Sequence, residues 1–314
     1  MAEKRLTRIP VLDTHNDHET FIPVGIVEGK HSGPTLGVIG GVHGTEFASH
    51  EGVARFWDSL EPSEISGNVL VVLMADVTAM LYHSLYTNPI DGKNLNRVWP
   101  GIQDGTLSEV IAYTITQEIV LKSDAVIDCH GGEFDEAIDL FVFTHTVGDE
   151  VLDKKAIDLA MSLGMPFVEV TDARGPVLGT GTGSGEAMLS GRPSISLECG
   201  GRGESTERHV AATFYSLRNA LIHMGIVQGQ PIIWEGYPVK LDHGILLKTT
   251  AGGLYVPEVE VGSWVDKDAV FARILDFDNS VIEEICAPES GIVLDVINAR
   301  GIKAGGFAGK IGVI

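Results

Sequence analysis

Short apolar runs that stop at glycine or proline-rich turns recur through the first two thirds of this chain, and stretches with helical spacing separate them. Residues 36–40, 69–74, 125–129, 140–144, 167–170 and 194–197 read as buried strands. Residues 47–60, 107–121, 151–163, 185–189 and 210–224 read as helices. In the first of these, Phe47, Val53, Phe56, Trp57 and Leu60 share one broad face. Parallel strands need crossover connections, so this alternation predicts an α/β domain with a largely parallel central sheet flanked by helices. Beyond residue 225 the texture changes to short Val-, Ile- and Gly-rich runs without helical spacing. Residues 265–274 align with 302–311, and each copy follows a glycine-led segment, 253–256 and 291–294. Two similar β halves predict a small all-β sandwich or barrel with internal pseudo-symmetry. The expected division is therefore 1–225, an α/β domain, and 226–314, a β-rich C-terminal domain.

The formal charge of −21, from 22 basic and 43 acidic side chains, argues against binding a phosphate backbone. Residues 1–10 are polar, without the apolar core of a signal peptide, and the run 69–75 is strand-sized rather than membrane-spanning. Three cysteines (Cys129, Cys199 and Cys286) lie far apart with no CxxC spacing, which suits a reducing compartment. A soluble cytoplasmic protein with no nucleic-acid or membrane partner is the expectation.

Three of the apolar runs end in a histidine or glutamate beside glycine. Gly40-Gly41-Val42-His43-Gly44-Thr45-Glu46 lies where a strand gives way to a helix, at the carboxyl end where open α/β sheets place ligands. His43 and Glu46, three apart, can aim imidazole and carboxylate at one point. Zinc accepts both, and catalytic zinc usually keeps three protein ligands plus water. His130, in Asp128-Cys129-His130-Gly131-Gly132-Glu133, supplies the third, with Asp128 or Glu133 available to orient a ligand. Glu198, in Leu197-Glu198-Cys199-Gly200-Gly201, stands at a third strand end as the general base.

Together with Pro89-Ile90-Asp91-Gly92-Lys93-Asn94-Leu95-Asn96-Arg97-Val98-Trp99-Pro100-Gly101, these segments resemble the succinylglutamate desuccinylase/aspartoacylase family, a branch of the zinc carboxypeptidase clan. The pieces follow the family's order and approximate spacing, and the β-rich tail matches as well. The resemblance implies a zinc-carboxypeptidase-like mixed sheet and one Zn2+ per chain on His43, Glu46 and His130. It implies Glu198 as general base and then general acid in a deacylase that removes an acetyl or succinyl group from a small N-acyl amino acid. Asn96 and Arg97 would lie in the substrate pocket, where a guanidinium can grip a carboxylate through two parallel hydrogen bonds.

Two departures bear on the substrate. Tyr86 stands where relatives often carry an arginine that polarises the carbonyl, and the segment 181–186 lacks the arginine relatives place before the catalytic glutamate. Arg174 and Arg202 are the candidates to replace it. Blander readings exist beside these: His50 as a core or supporting histidine, Arg97 paired with Glu46 or another acid, Asp128 capping a turn, Cys199 as a small buried filler. His83, His145, His209 and His243 carry no supporting pattern. A carboxypeptidase-type peptidase using the same zinc set is the alternative function. The tail also resembles carrier modules that bear a cofactor on a hairpin lysine, but the turn at 276–280 has none. Narrowing the active-site mouth or supporting a contact in a homo-oligomer is its expected role.

Overall fold

The computed structural model describes residues 2–13, 15, 18–175, 179–233 and 238–314. The chain opens with β1 (Glu3–Asp13) and β2 (His18–Glu28), an antiparallel pair in unbroken register from Glu3↔Glu28 to Asp13↔His18. The strand spacing of this pair was not legible in the sequence because β1 is an edge strand, mostly exposed and laden with charge. There follow β3 (His31–Gly40), α1 (Phe47–Ser59), β4 (Ser66–Val72), α2 (Val77–Tyr82), α3 (Leu107–Glu118), β5 (Ala125–His130), β6 (Glu136–Thr146), α4 (Glu150–Ser162), β7 (Phe167–Asp172), α5 (Gly183–Leu189), β8 (Ser194–Gly201) and α6 (Glu207–His223). The expected helix at 107–121 stops at Glu118, and residues 120–122 tighten into a 3₁₀ turn. Side-chain caps begin several helices: Asp76 for α2, Thr106 with Glu109 for α3, Asp149 for α4, Thr182 for α5 and Thr206 for α6.

The sheet runs β1-β2-β4-β3-β5-β8-β6. Its middle strands β4, β3, β5 and β8 are mutually parallel, while β2 and β6 are antiparallel to their neighbours β4 and β8. Period-two alternation sends Val38 into one core with Val53 and Leu217, and Ile39 into another with Leu107 and Ile111. Burial on both faces is why these strands are continuously apolar. Each such side chain contributes about 1.5–3 kcal/mol on leaving water.

The tail holds β9 (Val239–Lys240), β10 (His243–Lys248), β11 (Gly253–Pro257), β12 (Trp264–Val265), β13 (Val270–Leu275), β14 (Val281–Cys286), β15 (Gly291–Ile297), β16 (Gly301–Ile302) and β17 (Phe307–Val313). Its two halves pair reciprocally. Gly253 faces Ile302 across β11 and β16, and Gly291 faces Val265 across β15 and β12. Likewise β11 pairs with β13 and β15 with β17, while β14 pairs with β13 and β10 with β17. The quasi-repeat read in the sequence is thus a structural pseudo-two-fold around a core containing Tyr255, Phe271, Val293 and Ile311. The second half does not stand alone: Asp295, Val296 and Ile297 pair with Ile138, Ala137 and Glu136, which joins β15 and β17 to the large sheet. Among the described residues no helix is long and apolar enough to cross a membrane.

Candidate active site

Strands β3, β5 and β8 are neighbours, and their carboxyl ends lie side by side: Gly40 faces Cys129 across one pair, and His130 faces Glu198 across the next. Past β3 the chain turns at Gly41, whose φ of +72° favours glycine and whose missing Cβ leaves room for Met74. His43 follows in the loop, and Glu46 occupies the N-cap position of α1. Its carboxylate caps no backbone N–H of that helix, which leaves it free to face the two histidines.

His43 Nδ1 lies 2.6 Å from Glu46 Oε1, and His130 Nδ1 lies 3.2 Å from Glu46 Oε2. The imidazole centroids are 5.2 Å apart. One donor atom from each of His43, Glu46 and His130 falls within 4.8 Å of the others. The outer nitrogens are held from behind. His43 Nε2 is 3.1 Å from Asn94 Oδ1, and His130 Nε2 is 3.1 Å from Asp128 Oδ2. Protons on the Nε2 atoms, donated to Asn94 and Asp128, would leave the Nδ1 lone pairs facing inward for a cation. Glu46 Oε2 is buried without a hydrogen-bond donor. A buried carboxylate oxygen lacking a donor, set between two inward lone pairs, fits a divalent cation in a three-ligand site.

His43, Glu46 and His130 also shift one another electrostatically. Burial opposes ionisation of Glu46, but His43 and His130 outweigh it and hold the carboxyl well below its ordinary range. Burial also acts against protonated His43 and His130, yet Glu46 raises the first, and Asp128 with Glu46 raises the second. Glu198 is pushed up to about 8, chiefly by burial, with His130 opposing and Glu46 reinforcing. A carboxyl of that kind can both take and return a proton near neutrality.

The site opens into a cavity of about 540 Å³ that Glu198, Tyr86, Asn96 and Arg97 also line. Arg97 closes the 3₁₀ turn Leu95–Arg97; its guanidinium donates to the Asn96 carbonyl at 2.6 Å and meets no carboxylate among the described residues. Pairing with Glu46 is therefore not what this side chain does. Burial alone lowers its pKa. Asn96 accepts from the Gly183 N–H at 2.9 Å, and its amide nitrogen stands 3.4 Å from His130 Nε2. Tyr86 donates its hydroxyl to Asp135 at 2.7 Å, and its ring sits edge-on to His43 at 6.5 Å between centroids. Burial, then Glu136 and Asp135, keep that phenol protonated.

Arg174 and Arg202 are not brought to this cavity. Arg174 is exposed in the turn after β7, where its N–H binds Asp172. Arg202 is exposed too, with φ of +60° and its N–H donating to the Glu133 and Glu136 carbonyls. Of the supporting residues, Asp128 faces His130, whereas Glu133 accepts from the Tyr86 N–H and the Thr45 hydroxyl. His50 is buried and contacts the His43 carbonyl through Nε2 at 3.0 Å. Cys199 is buried. Sequence reasoning missed Asn94 as the residue behind His43, and it missed the tail's contribution to the cavity, Asp295 and Lys310 among others. The available signal for Lys310 was a lone lysine in the otherwise apolar run 307–313. Its ammonium meets Glu169, both buried, and lies over Phe141 at 5.0 Å.

Comparison with known proteins points the same way. The model of the succinylglutamate desuccinylase/aspartoacylase catalytic domain matches residues 32–224. The N-alpha-acetyl-L-2,4-diaminobutyric acid deacetylase of Halomonas elongata is 30% identical over 277 residues, 84% of this chain and 77% of that protein. The product-bound ectoine utilization protein EutE (DoeB) from Ruegeria pomeroyi superposes with a TM-score of 0.88 at 23% identity, over 100% of this chain and 95% of that one. A succinylglutamate desuccinylase from a Silicibacter species gives 0.88 at 26% identity, over 99% and 94%. With its strand ends, its tail and these matches in agreement, the chain belongs to the succinylglutamate desuccinylase/aspartoacylase family.

Proposed function

We propose that this protein is a zinc-dependent deacylase that removes an acetyl- or succinyl-type group from a small N-acyl amino acid. The observation that carries this reading is the convergence of two inward-facing imidazole nitrogens, a buried carboxylate oxygen without a donor, and Glu198 on one cavity. Zinc on His43, Glu46 and His130 would polarise the amide carbonyl and acidify a water. Glu198 takes the proton from the water as it attacks the carbonyl carbon. It then delivers that proton to the nitrogen as the C–N bond breaks, so a carboxylic acid and a free amine leave. Arg97, a guanidinium without an acidic partner among the described residues, binds the substrate's carboxylate. Asn96 fixes the loop at Gly183 beside it. The Halomonas relative acts on an N-acetyl amino acid, which supports the acyl-amino-acid class.

The test is a purified protein with its metal content measured, assayed for free amine release from N-acetyl and N-succinyl amino acids and from longer peptides. One zinc per chain and turnover of the acyl amino acids are expected. Faster cleavage of long peptides, or a fully active protein without metal, overturns the reading.

A further inference from the structure

Tyr86 lines the cavity and is fixed from several sides. Its φ of +56° lies in the left-handed region, which a residue with a Cβ adopts at a cost, and such strain persists where the surroundings over-determine it. Carboxylates supply the hold. The Tyr86 N–H donates to Glu133 Oε1 at 2.7 Å, and the other oxygen of that buried carboxylate accepts from the Thr45 hydroxyl. Thr45 lies between His43 and Glu46, so one side chain sets Tyr86 against the loop that carries two metal ligands. The ring stands edge-on to His43, and its hydroxyl donates to Asp135 Oδ1 at 2.7 Å. A phenol has one proton and two lone pairs. The proton goes to Asp135, and burial, then Glu136 and Asp135, keep it on the phenol. Glu136, raised to about 7 by burial and then by Asp135, can fill one lone pair. The other is left for a ligand group that donates.

We infer that the Tyr86 hydroxyl accepts a hydrogen bond from the N–H of the scissile amide, and so makes the enzyme select amides over esters. This rests on the deacylation reading above. A small N-acyl amino acid offers acceptors at its carboxylate, which Arg97 binds, and at its carbonyl oxygen. The amide N–H is the donor that such substrates share, and a hydroxyl whose own proton is committed can only receive it. The contact holds the N–H to one side as the nitrogen turns tetrahedral, and Glu198 protonates the lone pair that develops there. No proton passes to Tyr86: the N–H stays on the departing amine.

The test compounds are the N-acetyl amino acid that the zinc-loaded enzyme binds most tightly and the matching 2-acetoxy acid, an ester in which oxygen replaces the N–H. In Tyr86→Phe the amide-to-ester ratio of kcat/KM is expected to fall about three- to tenfold, the worth of one neutral hydrogen bond. Asp135→Asn, which loosens the orientation of the hydroxyl, lowers the ratio less. Calorimetry in a Glu198→Gln background gives a readout independent of turnover. There the amide should bind about three- to tenfold more tightly than the ester, and adding Tyr86→Phe should abolish the difference. Should the tyrosine variant fail to fold, equal binding of amide and ester by Glu198→Gln alone still overturns the inference. An unchanged ratio in folded Tyr86→Phe overturns it too, whether both substrates slow together, as a hydroxyl on the carbonyl oxygen requires, or neither slows; deacylation then stands. A protein that hydrolyses neither compound but prefers the amide through Tyr86 keeps the contact and rejects the deacylation reading. Equal binding with no hydrolysis rejects both.

Discussion

The two halves of the C-terminal tail share a strand pattern and differ in what they face. Arg273 and Lys310 occupy equivalent places, each in the last strand of its half. Arg273 is half-buried at the surface and meets Glu258 and Glu284. Lys310 is buried, pairs with Glu169 and borders the active-site cavity. Val256 stands opposite Arg273 in the first half, as Asp295 stands opposite Lys310 in the second. Strands β11 to β13 of the first half therefore close a small β core, while β15, joined to β6, and β17 also line the cavity. A repeat copies the fold; the neighbour it packs against decides what a position is used for.

The largest effect belongs to Glu198→Gln: a fall of about a hundred- to ten-thousand-fold in kcat is expected with zinc content unchanged. Steady-state kinetics with metal analysis checks this, and a smaller effect than any tail substitution would invert the ranking. Next comes Lys310→Met, which leaves the Glu169 carboxylate buried without its cation. A loss of about 3–5 kcal/mol in unfolding free energy is expected from urea titration. If the cost is negligible, the second half of the tail is not anchored as described.

A smaller effect tests the strand ends themselves. Glu198 rises from an ordinary 4.5 to about 8 on folding, so its contribution is present below 4.5 and lost as pH climbs through about 8. His43 and His130, both raised on folding, act with the same sign above 6.5. His50 and His145, both lowered, act only below 6.5. Metal-stripped protein should therefore melt at lower temperature as pH rises from 6.5 to 8, and added zinc should flatten that slope. A rising midpoint in calorimetry contradicts the burial of Glu198. The smallest effect belongs to Arg273→Met, which should leave the urea midpoint within error because surface pairs contribute little. A shift there matching that of Lys310→Met would erase the distinction between the halves.

Much of the candidate site was legible because its signals are local. Strands buried on both faces read as apolar runs, and a chain that must turn sharply after Gly40 or Cys199 shows glycine at the turn. His43, Glu46, His130 and Glu198 sit at those turns, so their grouping followed from strand order. The part that was not legible depends on register between distant segments. Which asparagine of Asn94 and Asn96 stands behind His43 is set by a short 3₁₀ turn. Arg174 and Arg202 lie on turns that carry them outward, though their residue type suited the role proposed for them.

The sequence by itself determined the alternation of strand and helix, the repeat in the tail and the chemistry waiting at three strand ends, since each is written in spacing over a few residues. Tertiary structure alone decided that β15 would pair with β6 and so bring Asp295 and Lys310 to the cavity. The physical reason is that equivalent strands of a repeat carry the same local periodicity, and only long-range pairing chooses which of them meets the catalytic sheet.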